Sequence, residues 1–266
     1  GPLLPEEEVV QQGSNFNIQT SVLYIDDEFD GKAPDDILPA DYKQVRVAVT
    51  WQGLFTSVKP VVLVLSISPP GLESDVGGGT LSILVFNAQG EPVDNASVHI
   101  EALSLSPQVI IDNYTDVFGR ISIPGAPVCT GCYEITVSKD GYTSDRTYGT
   151  DEVANPLKPH ATILEARVSE VSFAIDALSS LTIRATRSKP DYVPFAGVNL
   201  IVRGTKEIGR TVDDEPVYKV SRSVTTGNGG LVNLTDLEWD RYTISVPPNS
   251  SVDFAGSWPF NSVPVD

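Results

Sequence analysis

The chain has no methionine, only two cysteines, two histidines and three tryptophans among its 266 residues. A chain without an initiator has been trimmed. Gly1-Pro2 reads as the remnant of a cleaved tag, so a signal peptide or membrane helix would precede residue 3. Two histidines, His99 and His160, leave little for a Ser-His-Asp arrangement. There is no Gly-x-Ser-x-Gly elbow, and Gly77-Gly78-Gly79 lacks the lysine and helix of a phosphate-binding loop. The longest apolar run, Val61 to Leu65, is too short to cross a bilayer. Cations are also scarce. With 18 Lys and Arg against 35 Asp and Glu, the net charge is −17, which repels nucleic acid and anionic lipid surfaces. These absences point away from catalysis and from any cofactor.

What is present is β-forming. Val, Ile and Thr dominate the apolar segments, and 21 Gly and 20 Pro punctuate them throughout. That pattern suits many short strands in sandwiches or barrels. Residues 3 to 14 form an acidic leader with room for a helical turn. Strand signals follow at Phe16 to Ile25 and at Val45 to Trp51, where apolar and polar residues alternate. A further strand, more fully buried, is expected from Pro60 to Ser68.

The most informative feature is an internal repeat of about 100 residues, too long for a solenoid unit and the size of one sandwich. Leu81-Ser82-Ile83 matches Leu181-Thr182-Ile183, and Ala96-Ser97-Val98 aligns with Ala196-Gly197-Val198. Thr115 to Gly119 aligns with Thr225 to Gly229, and Tyr133-Glu134-Ile135-Thr136-Val137 with Tyr242-Thr243-Ile244-Ser245-Val246. The widening offset requires an insertion in the second copy near Asp213-Asp214-Glu215. The expected class is all-β: tandem immunoglobulin-like or prealbumin-like β-sandwiches after a small N-terminal sheet. The expected boundaries are a leader at 1–13, the N-terminal β unit at 14–72, and sandwiches at 73–177 and 178–266.

Gly90-Glu91-Pro92-Val93, Thr115-Asp116 with Gly119-Arg120, and the run Tyr133 to Tyr142 resemble carboxypeptidase-regulatory-like domains. That likeness implies prealbumin-like sandwiches serving as accessory modules of secreted and surface proteins. Separately, Val22-Leu23-Tyr24-Ile25-Asp26-Asp27, Asp41 to Val47 and Trp51 resemble the soluble part of bacterial minor-pilin-like surface proteins. That resemblance implies a membrane helix ahead of residue 3.

Three candidate features stand beside plainer readings. Cys129-Thr130-Gly131-Cys132 fits a local disulfide pinning a turn, which would place the protein outside the cytoplasm. As half a zinc site it needs two more ligands, and only the two histidines could supply nitrogen. Asp26, Asp27, Glu28 and Asp30 suit a hard cation such as calcium, against a solvated acidic loop. Trp239, Trp258 and Phe260 are candidate contact aromatics, against a tail that folds onto the last domain. The functional expectation is a non-catalytic extracellular structural or adhesive protein of a cell surface or pilus. Its partners would be other subunits or an extracellular ligand. The alternatives are a carbohydrate- or protein-binding module, or the accessory region of a secreted hydrolase.

Overall fold

A computed structural model describes residues 4–25, 42–52, 60–67, 78–188 and 190–265. The described residues contain strands and one short 3-10 turn, with no α-helix. The chain divides into two compact units, Gly1–Ser138 with His160–Ala174, and Lys139–Pro159 with Ile175–Asp266.

The first unit opens with an antiparallel meander of β1 (Glu6–Gln11), β2 (Ser14–Ile25), β3 (Tyr42–Gln52) and β4 (Val61–Ile67). The leader is therefore a strand and not a helical turn. Gln12 and Gly13 both take positive φ, 51° and 79°, the geometry of a two-residue turn that folds β1 back on β2. Strand β4 also departs from expectation. It is exposed along its whole length, and among the described residues it is an edge strand paired only with β3.

The rest of this unit is a sandwich. One sheet holds β5 (Gly79–Phe86) between β8 (Arg120–Ala126) and β13 (Val168–Ala174). The other runs through β7 (Val109–Tyr114), β6 (Ser97–Ala102), β9 (Cys129–Ser138) and β12 (Ala161–Ile163). Strand alternation turns Leu81, Ile83, Val98, Ile100, Ile121, Tyr133, Ile135, Val137 and Phe173 inward, all at most 2% exposed. Strand β13 lies parallel to β5 over seven registered residues, Val168 beside Thr80 through Ala174 beside Phe86. The strands between them supply the long crossover a parallel pair needs.

The second unit repeats this plan. Lys139–Pro159 contributes β10 (Asp145–Arg146) and β11 (Asn155–Pro156). One sandwich sheet is β14 (Ser179–Arg184) with β19 (Leu231–Leu237). The other holds β18 (Ser221–Thr225), β15 (Asn199–Arg203), β20 (Asp240–Ser245) and β21 (Val263–Val265). Val198, Leu200, Val202, Leu234, Leu237, Tyr242 and Ile244 form its core. A hairpin of β16 (Glu207–Arg210) and β17 (Pro216–Tyr218), with β11 on its outer side, occupies the insertion. Asp213, Asp214 and Glu215 form its tip.

The two copies share the hydrogen bonds of their turns. The Thr115 hydroxyl donates to the Val93 carbonyl at 2.7 Å and accepts from the Ala96 amide at 2.9 Å. The Thr226 hydroxyl donates to Phe195 at 2.8 Å and accepts from Val198 at 3.0 Å. Gly119 and Gly230 both have φ near 71°. A Cβ at either would come within 2.3 Å of the carbonyl oxygen of Val85 or Ala185. The buried Tyr133 and Tyr242 hydroxyls donate to the first carbonyl after the preceding strand, Pro127 at 2.8 Å and Glu238 at 3.0 Å. These pairs correct the sequence alignment. Thr115 corresponds to Thr226 and not Thr225, and Ala96 to Val198 and not Ala196, because only those residues carry the shared bonds.

Candidate interaction site

Strand pairing pins the side chains that matter here. Cys129 and Cys132 form a disulfide at the start of β9. They lie in the segment between the end of β8 and the buried Tyr133, whose Gly131 amide donates to the Thr162 hydroxyl on β12 at 2.9 Å. The corresponding segment before Tyr242 in the second copy is two residues shorter, Glu238 to Arg241 against Pro127 to Cys132. Glu238 is only 3% exposed. Its carboxylate accepts from Lys219 Nζ at 2.7 Å and is paired with Lys206 Nζ at 3.2 Å, the latter without hydrogen-bond geometry. Asp240, beside it, is pulled upward in pKa by burial. The Thr205 hydroxyl and the amides of Arg241, Lys206 and Thr205 outweigh burial and hold it below the ordinary carboxylate value.

Burial drives the Tyr242 phenol up to about 12, with the nearby Glu238 and Asp240 adding to it. The phenol is thus a structural donor and not an acid at neutral pH. His99 points outward on β6, as its alternation with Val98 and Ile100 dictates. Its Nε2 lies 2.6 Å from Glu101 and its Nδ1 2.6 Å from Asp112. The hydrogen bond to Glu101 first, and that to Asp112 next, raise its pKa above 6.5. The two carboxylates grip opposite nitrogens of one ring, a geometry that holds an imidazolium and not a shared metal ion. Among the described residues no group of three or more His, Cys, Asp or Glu could hold a metal. Asp26, Asp27, Glu28 and Asp30 lie outside the described residues.

The candidate aromatics separate. Trp239 is 43% exposed, and Lys206 Nζ lies 5.4 Å from the centre of its ring. Trp258 and Phe260 are 88% and 81% exposed, packed edge to face with centroids 6.1 Å apart. The tail therefore does not bury them. Val252, Phe254 and Val263 pack against the core in their place. Sequence reasoning missed two other exposed apolar features. One is β4, whose Val61 to Leu65 and Ile67 stand 42–68% exposed. The other is a shallow cleft of about 420 Å³ on the outer face of β5 and β8, lined by Leu84, Phe86, Gly90, Pro92, Phe118 and Arg120. Its signal was readable as the large outward residues Leu84 and Phe86 on a strand whose alternate residues are core. Among the described residues the arrangement offers contact surfaces.

No protein-family model and no curated protein matches the sequence. Among solved structures, the Bacillus anthracis TIE protein aligns at 12% identity and a TM-score of 0.28. The alignment covers 99% of this chain and 53% of that one, so the chain spans about half its length. A streptococcal ancillary pilin aligns at 10% identity and a TM-score of 0.29 over 79% of this chain and 69% of its own. A minor pilin of Streptococcus agalactiae aligns at 10% identity and a TM-score of 0.29, covering 70% and 90%. Likeness at this level says nothing of activity, and the all-β sandwich assignment stands on the strands themselves.

Proposed function

We propose that this chain is a non-catalytic structural or adhesive protein of a cell surface or pilus, working outside the cytoplasm alongside other subunits. The observation that carries the reading is the duplicated sandwich. Each copy fills its interior with aliphatic and aromatic side chains and uses one buried threonine hydroxyl to bond its turns. The Cys129–Cys132 disulfide favours an oxidising compartment, and the net charge of −17 suits a soluble exterior face. The chain is read as three β domains in series, at 14–72, 73–177 and 178–266, with prealbumin-like topology in the two repeats and a minor-pilin-like N-terminal part. Antibody labelling of intact cells of the source organism tests it. Surface labelling is the expected result, and label that appears only after permeabilisation would overturn it.

A second reading has one observation in its favour. The exposed Trp258–Phe260 pair is the kind of aromatic platform that stacks on a sugar ring or anchors a protein contact. Glycan-array binding that is lost in Trp258→Ala would move the assignment from scaffold to binding module.

A further inference from the structure

The turn before β19 repeats the backbone of the turn before β8, but not its side chains. In the first copy Asp116 opens the turn, and its Oδ1 accepts from the Phe118 amide at 2.9 Å and the Arg120 amide at 2.7 Å. The Gly119 amide donates to Asp116 O, and the Asp116 amide to Arg120 O, both at 3.0 Å. The second copy keeps both backbone bonds, from Gly230 to Gly227 O at 3.0 Å and from Gly227 to Leu231 O at 2.8 Å. Gly227 stands in the place of Asp116 and Gly229 in that of Phe118, so the side-chain acceptor is gone. Among the described residues no acceptor holds the Gly229 amide.

Asn228 lies between these glycines, exposed, in the only Asn-Gly step of the sequence. The amide carbon of an asparagine side chain is an electrophile, and the next backbone nitrogen reaches it by closing a five-membered ring. Attack needs that nitrogen unbonded and unshielded by a following side chain. It also needs rotation about the asparagine backbone, which glycines on either side permit. After three other asparagines the next amide is occupied. Ala96, after Asn95, donates to the Thr115 hydroxyl at 2.9 Å. Tyr114 donates to Asn113 Oδ1 at 2.8 Å, and Ser250, after Asn249, to Pro247 O at 2.9 Å.

We propose that Asn228 is a site of spontaneous covalent modification, where the Gly229 nitrogen closes on the Asn228 side chain and converts it to aspartate and isoaspartate. The Gly229 nitrogen gives its proton to hydroxide and bonds to Asn228 Cγ, and the side-chain amide nitrogen leaves as ammonia. Water then opens the succinimide. Cleavage at Cγ gives aspartate; cleavage at the backbone carbonyl gives isoaspartate, whose chain runs through Cγ. One water is consumed and one ammonia released, with no change of oxidation state. The products act differently on the fold. Aspartate adds a negative charge at an exposed position. Isoaspartate lengthens the backbone between Gly227 and Leu231, which the turn bonds hold at a fixed separation, and displaces Gly230, which already abuts Ala185 O too closely to admit a Cβ. The second copy therefore ages at a turn where the first carries Val117 in place of Asn228.

Peptide mapping of the full chain aged in mildly alkaline buffer tests it. Acid at position 228 should accumulate at least an order of magnitude faster than at Asn95, Asn113 or Asn249, and faster still as pH rises. Gly227→Asp restores the acceptor of the first copy. Its φ of −83° suits a side chain, and the added Cβ would lie 3.5 Å from Leu231 O. This variant should convert severalfold more slowly when folded, and at the same rate as the parent chain in urea, where the turn is lost. Conversion at 228 no faster than at the other three, a folded rate unchanged by Gly227→Asp, or equal slowing in urea would each overturn the site. The melting temperature of aged protein should fall with its isoaspartate content, while Asn228→Asp leaves it in place. An equal fall in Asn228→Asp would overturn the damage by backbone lengthening.

Discussion

The first and second sandwiches use the same turns, the same threonine and the same buried tyrosine, yet they close their cores to different degrees. Ile83 is fully buried beneath a three-stranded sheet, and its counterpart Ile183 lies beneath two strands. Local hydrogen bonding sets the topology of each copy. How completely the core is covered depends on a strand that arrives from far along the chain. Stability in such a fold is thus modular at its turns and collective at its edges.

The strongest way to break the equivalence is at the glycines. Gly119→Ala and Gly230→Ala should each cost more than about 3 kcal/mol in urea unfolding, since both place a Cβ at positive φ against a backbone carbonyl. A much smaller loss at Gly230 would mean that the second copy yields where the first does not. Next in size is the core. Ile83→Ala should cost about 2–5 kcal/mol, and Ile183→Ala roughly half as much, because its site can relax toward the open edge. Equal losses would contradict the difference in coverage.

Thr115→Val and Thr226→Val should lower stability by about 2 kcal/mol each, since each strands a buried carbonyl and an amide. A double-mutant pair should be additive, and strong coupling would argue against independent copies. The smallest effect is confined to the first copy. His99 has Ile201 as its counterpart, so only the first copy titrates here. Its raised pKa means that the added stability is fully present below about 6.5 and is lost as pH rises through the higher folded value. Being partly solvated, it contributes a shallow slope. His99→Gln should flatten that slope in thermal melts from pH 5 to 8, and an unchanged slope would place its origin elsewhere.

Much of the architecture could be read from the residues. The repeated Tyr-x-Ile-x-Val strand, the Gly-bearing turn and the position of the insertion all follow from local chemistry. The errors have physical causes. Thr225 and Thr226 are adjacent and identical, and only the direction of a hydroxyl separates them. Strand β4 looked buried because its side chains are apolar on both faces, but burial depends on what packs against a strand. That β14 has one neighbour among the described residues where β5 has two left no trace, since Leu181-Thr182-Ile183 has the same pattern as Leu81-Ser82-Ile83. A strand does not encode whether it has one neighbour or two. Trp258 and Phe260 were readable as candidate contact aromatics, but composition does not say which aromatics of a tail turn inward, so the choice between contact and a folded tail needed the structure.

The loop before the last long strand carries a consequence for handling the molecule. One copy fastens that loop with a covalent sulfur bridge and the other with a carboxylate gripped by two ammonium groups. A reductant that opens the bridge therefore acts on this segment in the first copy and leaves its counterpart in the second untouched. A reducing exterior would slacken the first copy at this point while the second keeps its ion pairs.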